Sequence, residues 1–571
     1  MKLSSPNARE ESSELSRALI LILLALVAAC FLRLPSRELK PMHTDETTQA
    51  VKLHEMMQGE YLYDPVDHHG PTLLYSARPL LWITGTDWEE ATESKLRLVP
   101  ALYGLALLVL LLLAADGMGK LALGWAAVFI AVSPIMVFYS RYFIMEVLLV
   151  FFTFGCIGCG WRYWITRETK WLVWAGLSAG AMHATKETCV LHFAAMGAAL
   201  LAVYIVEFWS AGAGLGVVNR SRKSPVKGSH LLIFVLSATA ASVALYSQFF
   251  TEWKGVADSA ATYLNMIGRA GGQGHEKGFT YYLELLWGGT FTGRPAEGLV
   301  SWKGLQWALG FDADARRFIY TEGALMLLAF IGCVSAFTAK PARNQSTHLV
   351  RFLAVYSVAT FLIYAIIRYK TPWCIMGAWH GLLLMAGLGA EKLVSLFWNR
   401  LARRVATALL TLVSLQLGLQ AWRMSRAFAA DSRNPLNYSM TSPGVIECVA
   451  KLERIAELSP EGRNMRIFQI DPNGGWPMPW FLGKRFPNYV WKPGTVTPDP
   501  ETAAVMLFST DADTLWREQL RSAGQLEGFD QKFAKDFVTL HTAGSLSLYV
   551  KKELWDQYVS RQPWPALSVQ Q

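Results

Sequence analysis

The chain has 571 residues, of which 52% are hydrophobic and only 17% charged, a balance that excludes an ordinary soluble enzyme. Its 53 lysines and arginines outnumber 44 aspartates and glutamates, giving a net charge of +9. No basic patch interleaved with aromatics stands on a soluble stretch, which argues against nucleic acid as a partner.

Apolar runs fit to cross about 30 Å of hydrocarbon fall at residues 18–34, 98–115, 121–139, 143–160, 171–184 and 189–209. Further runs lie at 231–250, 323–338, 352–367, 374–398 and 405–422. They predict roughly eleven spans at about 20 residues each, 171–184 being the shortest. Arg162, Arg167 and Lys170 share one side with Arg220, Arg222, Lys223 and Lys227, with Lys340, Arg343 and Arg351, and with Arg400, Arg403 and Arg404. The positive-inside rule makes that side cytoplasmic, with the N-terminus on it and everything after Trp422 outside. The excess of positive charge therefore reports topology in a plasma or inner membrane. Val27-Ala28-Ala29-Cys30 has the look of a lipoprotein cleavage site, but Glu10, Glu11 and Glu14 make a poor basic leader, so an uncleaved first helix is expected. The seven cysteines imply no disulfide framework. Cys156 and Cys159 read as small residues for close helix packing rather than a redox pair.

The expected architecture is an all-α polytopic membrane domain over 1–422 and an extracytoplasmic α/β domain over 423–571, resting on the outer face. In the latter a helix is predicted at 444–458, strands at 465–470, 503–508 and 545–550, and a helix at 512–521. Two long outer loops, 35–97 and 251–319, are seldom idle at such length.

The first of these loops carries the densest polar chemistry: His43-Thr44-Asp45-Glu46, Tyr61-Leu62-Tyr63-Asp64-Pro65, and Asp67-His68-His69-Gly70-Pro71-Thr72. Read alone it is a solvated loop, since Asp-Pro and His-Gly-Pro favour turns. Three further charged sets fall on the same side of the membrane: Arg141 with Glu146 just inside a span, Thr185-Lys186-Glu187 between two spans, and Arg368-Tyr369-Lys370-Thr371-Pro372-Trp373. A carboxylate at the edge of a span marks a functional site by default; the bland reading of Glu146 is a structural pair with Arg141. Lys186 either snorkels to headgroups or holds a phosphate as a compact cation.

These residues resemble glycosyltransferases of the GT-C fold, the multi-span class that uses polyprenyl-phosphate sugars. Within it the chain is similar to the group known as flippase-activity-associated membrane proteins. His43-Thr44-Asp45-Glu46, Tyr61-Leu62-Tyr63-Asp64-Pro65, His69-Gly70-Pro71-Thr72-Leu73, Lys370-Thr371-Pro372-Trp373 and Trp476-Pro477-Met478-Pro479-Trp480 carry that likeness. A looser similarity reaches aminoarabinose and protein mannosyl transferases.

The resemblance implies an inverting transfer of a sugar from a polyprenyl-phosphate donor to a glycan, lipid or protein acceptor at the outer face. Asp45 would be the general base, and Glu46 and Glu146 would orient the acceptor or the cations. His43, Tyr63, Arg141, Lys186, Lys370 and Trp373 would bind substrate. His69 and His275, the latter before Phe279, Tyr281 and Tyr282, stand where the aminoarabinose transferases contribute to a metal site. Imidazole there suits zinc, whereas carboxylates suit magnesium or manganese. Two rivals stand beside the enzyme: a transporter or noncatalytic partner of a lipid-linked oligosaccharide flippase, and a membrane scaffold presenting its C-terminal domain. A transporter would carry matched polar sites near the midplane of two repeats, and no such symmetry is present.

Overall fold

A computed structural model describes residues 6–66, 69–212, 227–271, 275–287, 320–339, 341, 345–472, 475–491, 498–541 and 544–562. Among them, eight helices are long and apolar enough to cross a membrane: Glu14–Arg33, Glu93–Met118, Glu146–Thr166, Cys189–Trp209, Gly228–Tyr246, Thr347–Ile366, Pro372–Ser395 and Arg400–Met424. Lys120–Val132 and Gly323–Thr338 are apolar but shorter, and Thr169–His183 is a helix of 15 residues. Each of the predicted apolar runs therefore lies on a helix. The chain is a multi-pass membrane protein.

Apolar side chains supply little preference for one neighbour over another inside lipid, so close backbone approach decides the packing. Gly323–Thr338 and Pro372–Ser395 touch backbone to backbone: a Cβ on Gly332 would lie 1.9 Å from the Met385 carbonyl oxygen, and one on Gly389 would lie 1.9 Å from that of Leu328. Helix Lys120–Val132 stops at Ser133-Pro134 and resumes as Pro134–Tyr139, because proline cannot donate to the preceding turn. The fully buried Glu322 carboxylate collects the donors at this break: Ser133 Oγ at 2.6 Å, the Ile135 amide at 2.9 Å and Trp379 Nε1 at 3.0 Å.

Two arginines seal helix ends nearby. Arg33 donates to the carbonyls of Ala131 at 2.7 Å and Ile130 at 2.9 Å, the unpaired oxygens at the end of Lys120–Val132. Arg141 donates to the carbonyls of Leu32, Pro35 and Ser36 at 3.0, 2.7 and 2.5 Å, which end the first helix.

Residues Glu38–Gly59, Asp87–Glu93 and Ser439–Gln571 form a second compact unit. Its sheet runs β2-β1-β3-β5-β4, with β1 Ile467–Ile470, β2 Tyr489–Val490, β3 Val505–Ser509, β4 Phe533–His541 and β5 Gly544–Lys551. β1 pairs parallel with β2 and β3, while β5 pairs antiparallel with β3 and β4. One face buries Phe468, Met506, Phe508, Phe529 and Tyr549. Helix Thr510–Ser522 brings Asp513 into reach of Lys535 Nζ, Ser547 Oγ and the Tyr549 hydroxyl, at 2.7, 2.8 and 2.7 Å. The predicted α/β character is present; β2 and β4 add strands that the alternation of the sequence did not announce. Trp480 donates to Glu93 at 2.9 Å and stands edge-on to Trp88, which ties the early segments to the late ones inside this unit.

Candidate active site

The membrane unit brings three of the sequence motifs to one end of its helices. Glu146 opens helix Glu146–Thr166, where a negative charge is favoured by the helix dipole. Its Oε1 accepts from Lys186 Nζ at 2.5 Å, and both side chains are buried. Glu146 Oε2 is also buried and has no hydrogen-bond partner among the described residues. Lys186 lies on the turn that follows helix Thr169–His183. Burial lowers the proton affinity of its ammonium, but the charge of Glu146, joined by Cys374 and Glu187, reverses this and holds it well above the usual lysine value.

The His-Gly-Pro-Thr segment docks on that turn. Gly70 N donates to the Thr185 carbonyl at 3.2 Å, and Thr72 donates to the Ala184 carbonyl from its amide at 3.1 Å and its hydroxyl at 2.6 Å. Only glycine fits at 70, where a Cβ would sit 2.0 Å from the Ala184 oxygen. The docking places His69 Nδ1 2.7 Å from Glu187 Oε2. Burial pushes the Glu187 carboxyl up, yet the charge and hydrogen bond of His69, with Lys186, together outweigh it and hold the group at about 2. Asp67 and His68 lie outside the described residues. Tyr63 is buried, its hydroxyl 2.6 Å from Thr262 Oγ1 and its ring edge-on to Tyr246.

Lys370 and Trp373 belong to a neighbouring cluster. An antiparallel bridge joins Glu276 to Tyr369, with Lys370 N donating to the His275 carbonyl at 3.1 Å and Lys370 Nζ to that of Lys277 at 3.2 Å. Burial, then Arg368, pushes the Lys370 ammonium below its usual value. His275 Nδ1 lies 2.6 Å from the Tyr438 hydroxyl. Trp373 stands edge-on to both Tyr438 and Tyr139, so the cluster is an aromatic wall carrying a cation.

The sequence treated Arg141 as a substrate ligand or as a partner of Glu146. In the structure its guanidinium fans across the carbonyls that end the first helix, and Glu146 pairs with Lys186 instead.

His43, Asp45 and Glu46 fall in the second unit. The motif read as loop begins a helix, Thr44–Gln58, by a capping box: His43 Nδ1 accepts from the Asp45 amide at 3.1 Å, and Glu46 Oε2 accepts from the His43 amide at 2.9 Å. The two adjacent carboxylates thus differ. Glu46 is fully buried in the cap, whereas the Asp45 side chain is 48% exposed. Asp45 also lies 3.9 Å from His43 Nδ1, but that nitrogen already accepts an amide hydrogen, so the proximity is not an ion pair.

The expected metal ligands do not assemble a site. His69 is engaged by Glu187 and His275 by Tyr438. Among the described residues no three His, Cys, Asp or Glu side chains gather closely enough to hold an ion. The sequence reading passed over Tyr438 and Glu322 as functional residues. Glu322 left a signal, an acid directly before an apolar run; Tyr438, distant in sequence from every motif, left none.

The family model described as dolichyl-phosphate-mannose-protein mannosyltransferase matches residues 77–252, a stretch that holds Arg141, Glu146 and Lys186 but not Asp45. No curated protein matches the sequence. Among solved structures, ArnT from Cupriavidus metallidurans bound to undecaprenyl phosphate superposes with a TM-score of 0.55 at 14% identity, covering 94% of this chain and 99% of that one. Its apo state gives 0.53 at 14% identity, over 94% and 98%. At that identity the likeness establishes a shared GT-C fold.

Proposed function

We propose that the protein is a membrane glycosyltransferase that moves a sugar from a polyprenyl-phosphate donor to an acceptor hydroxyl on the extracytoplasmic side. The observation that carries this reading is the buried Glu146–Lys186 pair, whose second carboxylate oxygen has no hydrogen-bond partner among the described residues. A lone intramembrane ammonium is costly; pairing keeps Lys186 charged at the edge of the apolar bundle, where a lipid phosphate arrives. The shared fold with an undecaprenyl-phosphate-bound structure supports that donor class, and the family match over 77–252 supports sugar transfer. Arg162, Arg167 and Lys170 stand at the end of helix Glu146–Thr166 opposite Glu146, which supports the cytoplasmic assignment of that side.

In the proposed chemistry Asp45 removes the acceptor proton as the oxygen attacks the anomeric carbon, with inversion. It suits that role because its carboxylate is exposed at a helix start while Glu46 is consumed by the cap. Lys186 stabilises the negative charge growing on the departing phosphate, and Glu146 fixes the direction of its ammonium. Tyr63, Lys370 and Trp373 line the approach, and Arg141 braces the turn before Glu146. Glu187 and His69 hold the Lys186 turn from the other side. No step is assigned to a metal.

The test supplies purified protein with radiolabelled polyprenyl-phosphate monosaccharides and follows sugar leaving the lipid. The reading expects release by the wild type, and a loss of at least about a hundredfold in Asp45→Asn with an unchanged melting temperature. Release from none of the donors overturns it in favour of a noncatalytic flippase partner, and full activity in Asp45→Asn overturns the assignment of Asp45 as base.

A further inference from the structure

Helix Lys254–Ala270 presents a face with the wrong chemistry for water. Its inner face is set by Gly255, Ser259 and Thr262, which are buried, with Thr262 bonded to Tyr63 and Asn265 to the Pro65 carbonyl. The outer face follows a 4-3-4-3 spacing from the preceding turn: Trp253, Ala257, Ala260, Leu264 and Ile267 are all exposed and all apolar. Leu264 is 74% exposed, Ile267 67% and Trp253 60%. An amphipathic helix of this kind buries its apolar stripe somewhere.

Its place in the chain identifies the medium. The preceding span, Gly228–Tyr246, has 19 residues; one face packs on helix Thr169–His183, where a Cβ on Gly180 would lie 2.2 Å from the Ala238 carbonyl oxygen, while the other, with Leu231, Leu232, Val235 and Leu236, is exposed and open to lipid. At 1.5 Å per residue it reaches about 28 Å, the thickness of the hydrocarbon core. Phe249 and Phe250 follow at the boundary, both exposed. Gln248, Phe249 and Phe250 have φ of 51°, 58° and 73°, three consecutive left-handed residues without a glycine among them. Such a conformation is sparsely populated by residues with a side chain and persists where the surroundings require it. Here it is held by Gln248 Nε2 on the Tyr61 carbonyl at 2.7 Å and by Phe249 N on that of Ala244 at 2.7 Å. The turn swings the chain from span direction into the helix with its aromatic residues facing out.

We infer that Lys254–Ala270 is an in-plane membrane helix, with Phe249, Phe250, Trp253, Leu264 and Ile267 inserted at the headgroup and acyl boundary of the leaflet beside Lys186. The apolar stripe continues the lipid-facing surface of the span before it through the exposed Phe249, Phe250 and Trp253, and aromatic rings favour that depth. The opposite face grips the 61–65 segment, so the bilayer surface and Tyr63 are joined through one helix. The inference is independent of the transferase reading, because it needs no substrate.

The test uses the full-length protein in bilayers of phosphatidylethanolamine and phosphatidylglycerol with a lipid-soluble, photoactivated carbene reagent. Trypsin cuts after Lys254 and Arg269, releasing the helix in one peptide. Adducts on Leu264 and Ile267, and none on Thr262 or Asn265, are expected. An unlabelled peptide beside a labelled 231–246 segment overturns the inference. A second measurement places a nitroxide on Ile267→Cys in a Cys30→Ser background and compares relaxation by oxygen with relaxation by a water-soluble nickel chelate. The larger effect is expected from oxygen. A larger nickel effect means the stripe faces water, and shielding from both means that another part of the chain or a second copy covers it; either result overturns the inference.

Discussion

Glu146 and Lys186, 40 positions apart, form a buried ion pair that leaves one carboxylate oxygen without a hydrogen-bond partner among the described residues. Removing either member of such a pair strands the other charge, at a cost of about 3–5 kcal/mol, whereas removing both costs far less. Glu146→Gln and Lys186→Met are each expected to lower the melting temperature strongly, and the double variant to recover a large part of the loss. Sugar transfer should stay abolished in the double variant although the fold returns. Restored activity there would remove Lys186 from the chemistry.

His69 and Glu187 offer a milder case. The His69 ring is the largest stabilising influence on a carboxyl that burial alone would raise. His69→Phe leaves the buried Glu187 without that partner and should cost about 1–3 kcal/mol. Hydrogen exchange of the 184–188 turn reads the effect directly, as faster exchange in the variant.

Gly70→Ala probes the docking of the two motifs without touching a charge. Its methyl group collides with the Ala184 carbonyl, and overpacking of this kind costs about 1–3 kcal/mol. The expected result is a loosened Lys186 turn and a fall in sugar release; unaltered exchange at residues 184–188 would show that the segment is not packed there.

Arg141→Lys separates bracing from substrate binding. A lysine keeps the charge but cannot fan across the carbonyls of Leu32, Pro35 and Ser36. Stability should fall by about 1–3 kcal/mol, with KM for the lipid donor unchanged. A raised KM at unchanged stability would assign Arg141 to the phosphate.

The second unit carries a pH prediction of definite sign. Burial raises the Asp513 carboxyl, but hydrogen bonds from Lys535, Tyr549 and Ser547 bring it below the ordinary aspartate value. A folded-state value below the unfolded one, about 3.9, contributes stability that is complete above that pH and is lost as pH falls through the folded value. Asp513→Asn should remove that acid limb. Hydrogen exchange of the β4–β5 hairpin between about pH 5 and pH 3 is the measurement.

Much of this was legible in the sequence because bilayers impose strong rules. Among the described residues each helix long and apolar enough to cross a membrane coincides with an apolar run of the sequence, and Glu146 and Lys186 stood out as charges at span edges. Their partners were not legible. Arg141 lay closer in sequence to Glu146 than Lys186 did, yet the carbonyls ending the first helix claimed it, and nothing local announces a tertiary cap. His43-Thr44-Asp45-Glu46 read as loop because histidine is an uncommon N-cap, so the box was missed. β4 escaped because its alternation of polar and apolar residues is weak, and its pairing with β5 is set by the hairpin.

Arg33 and Arg141 reciprocate: Arg33 closes the helix that leads toward Arg141, and Arg141 closes the helix that ends in Arg33. The first helix is synthesised about a hundred residues before Ile130 and Ala131, whose carbonyls Arg33 holds in the folded chain. Until those carbonyls have been made, the Arg33 guanidinium lacks two of the partners it holds in the folded chain. Biogenesis of the bundle is therefore coupled across its first three membrane crossings, and a ribosome stalled before residue 130 holds a helix that cannot yet be seated.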